Sequence, residues 1–377
     1  MNPFADRPYA ASRFARIVAI ARGTNPFYAR WIEDPDHVPI LDRRTYCENN
    51  DEILNGHAVN DRTSGSTGVP VRVAVSPDLA RARGRDTARF VGWLGGVLPV
   101  VRLIYSGHSR PAENTLDIGA PIDEQIDFIL MRHRLAGAVA VTTYPTNAEL
   151  LVRRAHERGV DLGFIRRVGL YGESVEPHHI SQIRSIFPSA TVWSTYSSVE
   201  FGMIAARCPF EPQYHHVMAH RLGVELLDDR GAPVGRGERG RVVITDYLNT
   251  LSPFIRYELG DYADAGSCPC GRISLPSIGE VYGKVRGALL HRDGRRVVFA
   301  DLSVRLRDIP EMRQYQVVQH DIEWFTVRVV SPARIDEEVR SAFAVHFGYV
   351  PERVNIEYVD EIPRGPGGKF HASICEA

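Results

Sequence analysis

Between Thr63 and Pro70 the chain reads TSGSTGVP, with the hydroxyl residues Thr63, Ser64, Ser66 and Thr67 interleaved with Gly65 and Gly68. Glycine lets backbone N–H groups approach an anion closely, and hydroxyls add further donors, so this mixture suits a phosphate. A linker is a poor account, because the stretch runs directly into VRVAV, where Val71, Val73 and Val75 alternate as in a strand. A tight hairpin turn needs a glycine and one polar partner rather than four hydroxyls. The missing G-K-[ST] ending excludes a Walker A loop. Taken alone, the stretch leaves a phosphate loop and a structural turn both standing.

Three further stretches carry groups with chemical uses. YSSVEFG, Tyr196 to Gly202, places Glu200 just after a strand-like run, and RYELGD, Arg256 to Asp261, ends in Gly-Asp. PRGPGGKF sets Lys369 in a glycine-rich loop near the C-terminal end. Each is weak alone, since an acid after a strand is usually a surface group and such a lysine usually solvates. GRGERG, Gly235 to Gly240, matches the dinucleotide fingerprint but leads into the strand-like RVVITDYL, so it reads as a turn. Cys268 and Cys270 share the turn CPCGR, and Cys208, His215 and His216 lie upstream in RCPFEPQYHH. Three thiolates and one imidazole make a tetrahedral zinc site, and reduced core cysteines are the alternative. Four protein ligands leave no open position, so such a zinc is structural. His108 (in SGHS), Tyr144 and Tyr171 fall at strand ends, where open α/β sheets bind ligands, although a lone histidine is more often structural.

These groups need a scaffold of more than one domain, as 377 residues and 42.2 kDa exceed one ordinary core. Helical spacing appears in SRFARIVAIAR, PDLARARGRDTARFVGWL and NAELLVRRAHERG, and strand-like runs in AVAVTTY, RRVGLYG, ATVWSTY and GRVVITDYL. Their alternation between residues 60 and 200 predicts an α/β domain with a largely parallel sheet. After about residue 285, QYQVVQHDIEWFTVRVV, IDEEVRSAFAVHFG and RVNIEYVDEI predict a small α+β unit. A net charge of -1 argues against nucleic-acid and membrane-surface binding. Five cysteines in a long chain, with no apolar run of spanning length, predict a cytoplasmic protein without a disulfide framework.

In this order and spacing the landmarks resemble the adenylate-forming superfamily of acyl-CoA synthetases and adenylation domains, in particular its phenylacetate–CoA ligase and CapK-like branch. NPFYARWIEDPDHVPILDR is similar to that branch's N-terminal segment, TSGSTGVP to its phosphate loop and GLYGESVEP to its mid-domain glycine–acid turn. YSSVEFG is similar to its Y-G-x-[ST]-E motif, RYELGD to R-Y-R-T-G-D and PRGPGGK to its terminal lysine loop. The resemblance implies an α/β fold with a large N-terminal domain of mixed sheets and helices, residues 1–285, and a small mobile α+β domain, residues 286–377. It implies an ATP-dependent ligase in which Thr63, Ser64, Gly65, Ser66, Thr67 and Gly68 hold phosphates. Tyr196 lies against adenine, Asp261 takes the ribose hydroxyls, Glu200 takes Mg²⁺, and Lys369 serves adenylation. Gly172, Glu173, Ser174, Ser197 and Ser198 complete the nucleotide site, and His108, Tyr144 and Tyr171 line the acid pocket. Among the ligand candidates it favours His216 over His215, with Cys208, Cys268 and Cys270, for structural zinc. The implied partners are ATP, an aromatic or small carboxylic acid, and a thiol or amine acceptor such as coenzyme A or a carrier protein; a homodimer is allowed. Two departures bear on the acceptor. The hinge reads GKVRGALL with no aspartate, and the following glycine turn appears only as HRDGRRVVF. An amide-forming ligase without coenzyme A and a catalytically inactive nucleotide-binding scaffold are the alternatives.

Overall fold

The computed structural model describes residues 8–63, 70–104, 112–173, 175, 177–284, 288–363, 370 and 372–376. The chain divides into two compact units, one of Met1–Val101 with Ile126–Val281, the other of Arg102–Gln125 with Tyr282–Ala377.

In the first unit the strands Ala140–Thr143, Arg167–Leu170 and Thr191–Ser198 pair in parallel. Parallel neighbours need crossover connections, and the helices Pro145–Glu157 and Pro177–Ile186 supply them. Proline at the first turn starts the helix over 145–157, where a missing N–H costs nothing. From Thr191–Ser198 the sheet turns antiparallel through Gly202–Arg207, His215–Val217 and Ser277–Ile278. A second antiparallel layer runs Leu222–Leu227, Arg239–Asp246, Tyr257–Asp264. Residues 235–238 of GRGERG lie in the connection between the first two of these strands and Arg239 and Gly240 open the second, as its context predicts.

The helix Pro8–Thr24 shows why its sequence is helical. Phe14, Ile17, Val18 and Ala21 recur at helical spacing, and all four are buried against a core that includes Phe201, Ile204, Phe254 and Tyr257. Burying each large apolar side chain stabilises by roughly 1.5–3 kcal/mol. The helix Pro77–Trp93 begins with Ser76, whose side chain accepts the N–H of Leu79.

VRVAV is less of a strand than its alternation predicts. Only Arg72–Val73 pairs, with Asp61–Arg62 in antiparallel register. The ladder stops because the Ser252 hydroxyl takes both backbone groups of Ala74, accepting its N–H at 3.0 Å and donating to its carbonyl at 3.1 Å. Val75 then donates its N–H to the Asn60 side chain. TSGSTGVP thus lies between two antiparallel strands, and residues 63–71 separate Arg62 from its partner Arg72, more than a two-residue turn uses.

The second unit holds an antiparallel pair, Gln314–Asp321 and Trp324–Val330, flanked in parallel by Ser373–Cys375 and Arg353–Tyr358. The single run QYQVVQHDIEWFTVRVV is therefore a hairpin. Helices Phe299–Arg307 and Asp336–Phe347 bury Leu302, Leu306, Val339 and Phe343 in the same core as Phe325 and Val327. Arg102, Leu103 and Ile104 pair in parallel with Thr115, Leu116 and Asp117. No helix among the described residues is long and apolar enough to cross a membrane.

Candidate active site

The adenine and ribose candidates meet directly. The Tyr196 hydroxyl donates to Asp261 Oδ2 at 2.6 Å, across 65 positions of sequence. Tyr196 sits near the end of Thr191–Ser198, and Asp261 within Tyr257–Asp264. Burial, reinforced by the Asp261 charge, raises the Tyr196 phenol well above its ordinary range, which keeps it a donor. A register shift between Tyr196 and Ser197 re-aims the strand end, and the Ser198 hydroxyl accepts the N–H of Phe201 at 3.3 Å.

Glu200 lies on the turn that follows, and is only 1% exposed. Its carboxylate Oε1 receives Arg43 Nη1 at 3.2 Å, while Arg43 Nη2 donates to the Thr63 hydroxyl at 3.0 Å. Thr63 also accepts the N–H of Val71 on that hydroxyl and donates its own N–H to the Val71 carbonyl, both at 3.0 Å, which closes the base of the phosphate-loop candidate. Arg83 holds the turn from behind, donating to the Glu200 carbonyl at 2.7 Å. Gly202 makes this approach feasible: its φ is +64°, and a Cβ there would lie 3.1 Å from Arg83 Cδ. Burial raises the Tyr257 phenol, with Glu200 adding to the effect and Arg43 opposing it.

The mid-domain turn forms a second group. Glu173 Oε2 accepts the Thr146 N–H at 3.1 Å and the Thr146 hydroxyl at 2.8 Å, at the start of the helix Pro145–Glu157, where a negative charge is favourable. Tyr144 and Tyr171 follow neighbouring parallel strands, their ring centroids 4.8 Å apart. Tyr144 is buried, and Gly172, at φ +81°, lies so close that a Cβ would meet its ring at 2.2 Å.

The cysteine–histidine set converges. One ligand atom each from Cys208, His216, Cys268 and Cys270 lies within 4.8 Å of every other. His216 Nδ1 faces the Leu275 carbonyl at 3.1 Å, which turns Nε2 toward Cys270 Sγ at 3.7 Å. His215 is directed elsewhere, its Nδ1 on the Gly279 carbonyl at 3.0 Å, and burial beside Arg207 lowers its pKa to about 3. Arg207, nearly buried, ties the region together through Ser194, Glu280 and the carbonyls of Pro212 and Val175. Ser64, Gly65, Ser66, Thr67, Gly68, His108, Ser174 and Lys369 lie outside the described residues.

No protein-family model and no curated protein sequence matches the chain. Solved structures do. A 2-hydroxyisobutyryl-CoA ligase in the postadenylation state, in complex with 2-HIB-AMP, is 18% identical over 98% of this chain and 90% of its own, with a TM-score of 0.75. The chain shares the fold of this ligase. The amide bond synthetase McbA from Marinactinospora thermotolerans is similar at 20% identity over 82% of this chain and 66% of its own, TM-score 0.60. ATP-bound MatB from Rhodopseudomonas palustris is 16% identical over 83% of this chain and 65% of its own, TM-score 0.58.

The sequence motifs do not disclose Arg43 or Arg83. Arg43 sits within PILDR, in the resembling N-terminal segment, but nothing local distinguishes it from Arg44, which pairs with Glu48 at the surface. Arg256 of RYELGD proves structural: its guanidinium clamps both oxygens of Glu225, at 3.1 and 2.9 Å, and donates to the Val38 carbonyl.

Proposed function

We propose that this protein is an ATP-dependent ligase that activates a carboxylic acid as its acyl-adenylate and passes the acyl group to a thiol or amine. One observation carries the reading: Thr63, Arg43 and Glu200 form a hydrogen-bonded chain beside a directly bonded Tyr196–Asp261 pair. Residues scattered from Arg43 to Asp261 thereby offer donors for phosphates, a buried carboxylate for a hard cation, and a carboxylate for a ribose diol. The likeness to adenylate-forming folds supports it.

In this reading the acid's carboxylate oxygen attacks the α-phosphorus, the bond to the β-phosphate bridge breaks, and pyrophosphate leaves. Negative charge develops on the phosphoryl oxygens, where positioned donors and cations act most strongly. Residues 1–285 are the nucleotide and acid domain and 286–377 the small domain, whose Lys369 is the adenylation lysine. Tyr196 and Asp261 orient the nucleoside. Glu200 fits Mg²⁺ as a buried oxygen ligand, and the ion would neutralise phosphate charge there. In the second step the acceptor's sulfur or nitrogen attacks the acyl carbonyl, loses its proton, and AMP departs.

The acid is aromatic or small, a reading supported by Tyr144 and Tyr171 at the strand ends and by the resemblance. Coenzyme A and amines both remain as acceptors, the amine reading being favoured by the altered hinge. Cys208, His216, Cys268 and Cys270 fit structural zinc: at Zn–S bonds of about 2.3 Å, ligand atoms sit about 3.5–4 Å apart, and the bonded Nδ1 fixes His216 as an Nε2 ligand. We place the protein in the cytoplasm.

Exchange of labelled pyrophosphate into ATP, screened over a carboxylic-acid panel, tests the reading. Acid-dependent exchange is the expected result; ATP binding without exchange for any acid would point instead to a scaffold. Mass detection of acyl-CoA against acyl-amide then separates the two acceptors.

A further inference from the structure

The feature least accounted for by these assignments is Arg43. It belongs to the helix Arg43–Glu48, whose start is capped by Asp42: one carboxylate oxygen accepts the Thr45 N–H and the other the Thr45 hydroxyl, both at 2.8 Å. The segment is pinned on both sides to the strand that carries Asp261. Leu41 donates its N–H to the Arg256 carbonyl and accepts that of Glu258, each at 2.9 Å. Tyr46, fully buried, stacks on Phe254 with ring centroids 4.5 Å apart and meets Tyr257 edge-on at 5.5 Å. The backbone under Arg43 is thus fixed by the same strand that positions the ribose candidate, and its guanidinium spans Glu200 and Thr63.

Exposure separates the two partners of this ion pair. The Glu200 side chain is 2% exposed and that of Arg43 is 22% exposed. A buried carboxylate needs a cation, and Arg43 supplies it. If a divalent ion takes Glu200, two cations share one carboxylate at close range, which is repulsive unless an anion arrives with the ion. The triphosphate is that anion. A planar guanidinium with several donors matches phosphate oxygens better than it matches a single carboxylate oxygen.

We propose that Arg43 is a phosphate-tail residue, which neutralises Glu200 in the free protein and donates to the β- and γ-phosphates of ATP once magnesium occupies that acid. This rests on the ligase reading above and extends it. Arg43 is then a binding residue for the leaving pyrophosphate, reached from the N-terminal segment rather than from the glycine loop.

Calorimetric titration of the full chain with Mg·ATP and with AMP tests it, using wild type, Arg43→Gln and Arg43→Lys. Glutamine keeps an amide within reach of Glu200 and Thr63 but removes the charge, and lysine restores charge without the fork. The expected result is that Arg43→Gln weakens Mg·ATP about tenfold or more and AMP less than about twofold, with Arg43→Lys between wild type and Arg43→Gln for Mg·ATP. Equal weakening of both nucleotides, or unchanged Mg·ATP affinity, would overturn the proposal. Should Arg43→Gln fail to fold, Arg43→Lys decides alone: an Mg·ATP affinity equal to wild type, or a loss shared equally by AMP, sinks it. Failure of the wild-type protein to bind ATP at all would sink the ligase reading first, and this inference with it.

Discussion

The proposed nucleotide face and the cysteine–histidine cluster adjoin the same sheet, yet they are built in opposite ways. The nucleotide face draws single residues from far-apart segments: Arg43 reaches Glu200 across 157 positions, and Tyr196 reaches Asp261 across 65. Its groups are hard oxygens and cations bonded to one another. The cluster draws Cys208 and His216 from either end of one connection and Cys268 and Cys270 from one turn. Its groups are soft sulfurs and a nitrogen, brought within 4.8 Å of each other with their backbones held by local hydrogen bonds. The first arrangement suits a polyanion that comes and goes; the second suits an ion that stays. Permanence and turnover leave different signatures in sequence spacing.

The comparison breaks most readily at Lys369. If the nucleotide face does chemistry, Lys369→Ala lowers the adenylation rate about 10²-fold or more, as for other removed electrostatic stabilisers, while ATP affinity changes little. Single-turnover adenylate formation measures this, and a rate near wild type would move attention to Lys284, the lysine of the hinge GKVRGALL. Next in size is the cluster. Cys268→Ala should expel the metal and lower the thermal midpoint by several degrees, with adenylation by the remaining folded protein within about threefold of wild type. Metal analysis of chelator-free protein giving less than about a tenth of an equivalent of zinc would erase the contrast. The smallest effect is expected for Tyr196→Phe. It removes the hydrogen bond that orients Asp261, lowering stability by about 1 kcal/mol and weakening ATP about fivefold. A stability loss larger than the affinity loss would make Tyr196 a core residue rather than a nucleotide contact.

Long elements were legible in the sequence because periodicity needs length. The helices Pro8–Thr24, Pro77–Trp93 and Pro145–Glu157 each show several turns of helical spacing. The helix Arg43–Glu48 is too short to display a period, so the element bearing Arg43 was invisible. VRVAV misled for a different reason: its alternation is real, but the Ser252 hydroxyl, 178 positions away, ends the ladder. The choice between His215 and His216 could not come from spacing. Adjacent strand residues face opposite sides, and only the packing of Gly279 and Leu275 decides which imidazole meets the sulfurs. Motifs point to Thr63 and Glu200 as parts of the proposed nucleotide face; the bonds these two make to Arg43 and Arg83 are a property of the fold.

The close approach of Gly172 to Tyr144 has a consequence for how the proposed acid pocket can change over generations. A methyl group at position 172 collides with the ring of Tyr144, so Gly172→Ala is excluded as a first step. Once Tyr144 has become smaller, the same change meets only the strain of φ +81°, of order 1 kcal/mol or more. The two positions are therefore epistatic, and the route to a reshaped pocket runs through residue 144 before residue 172.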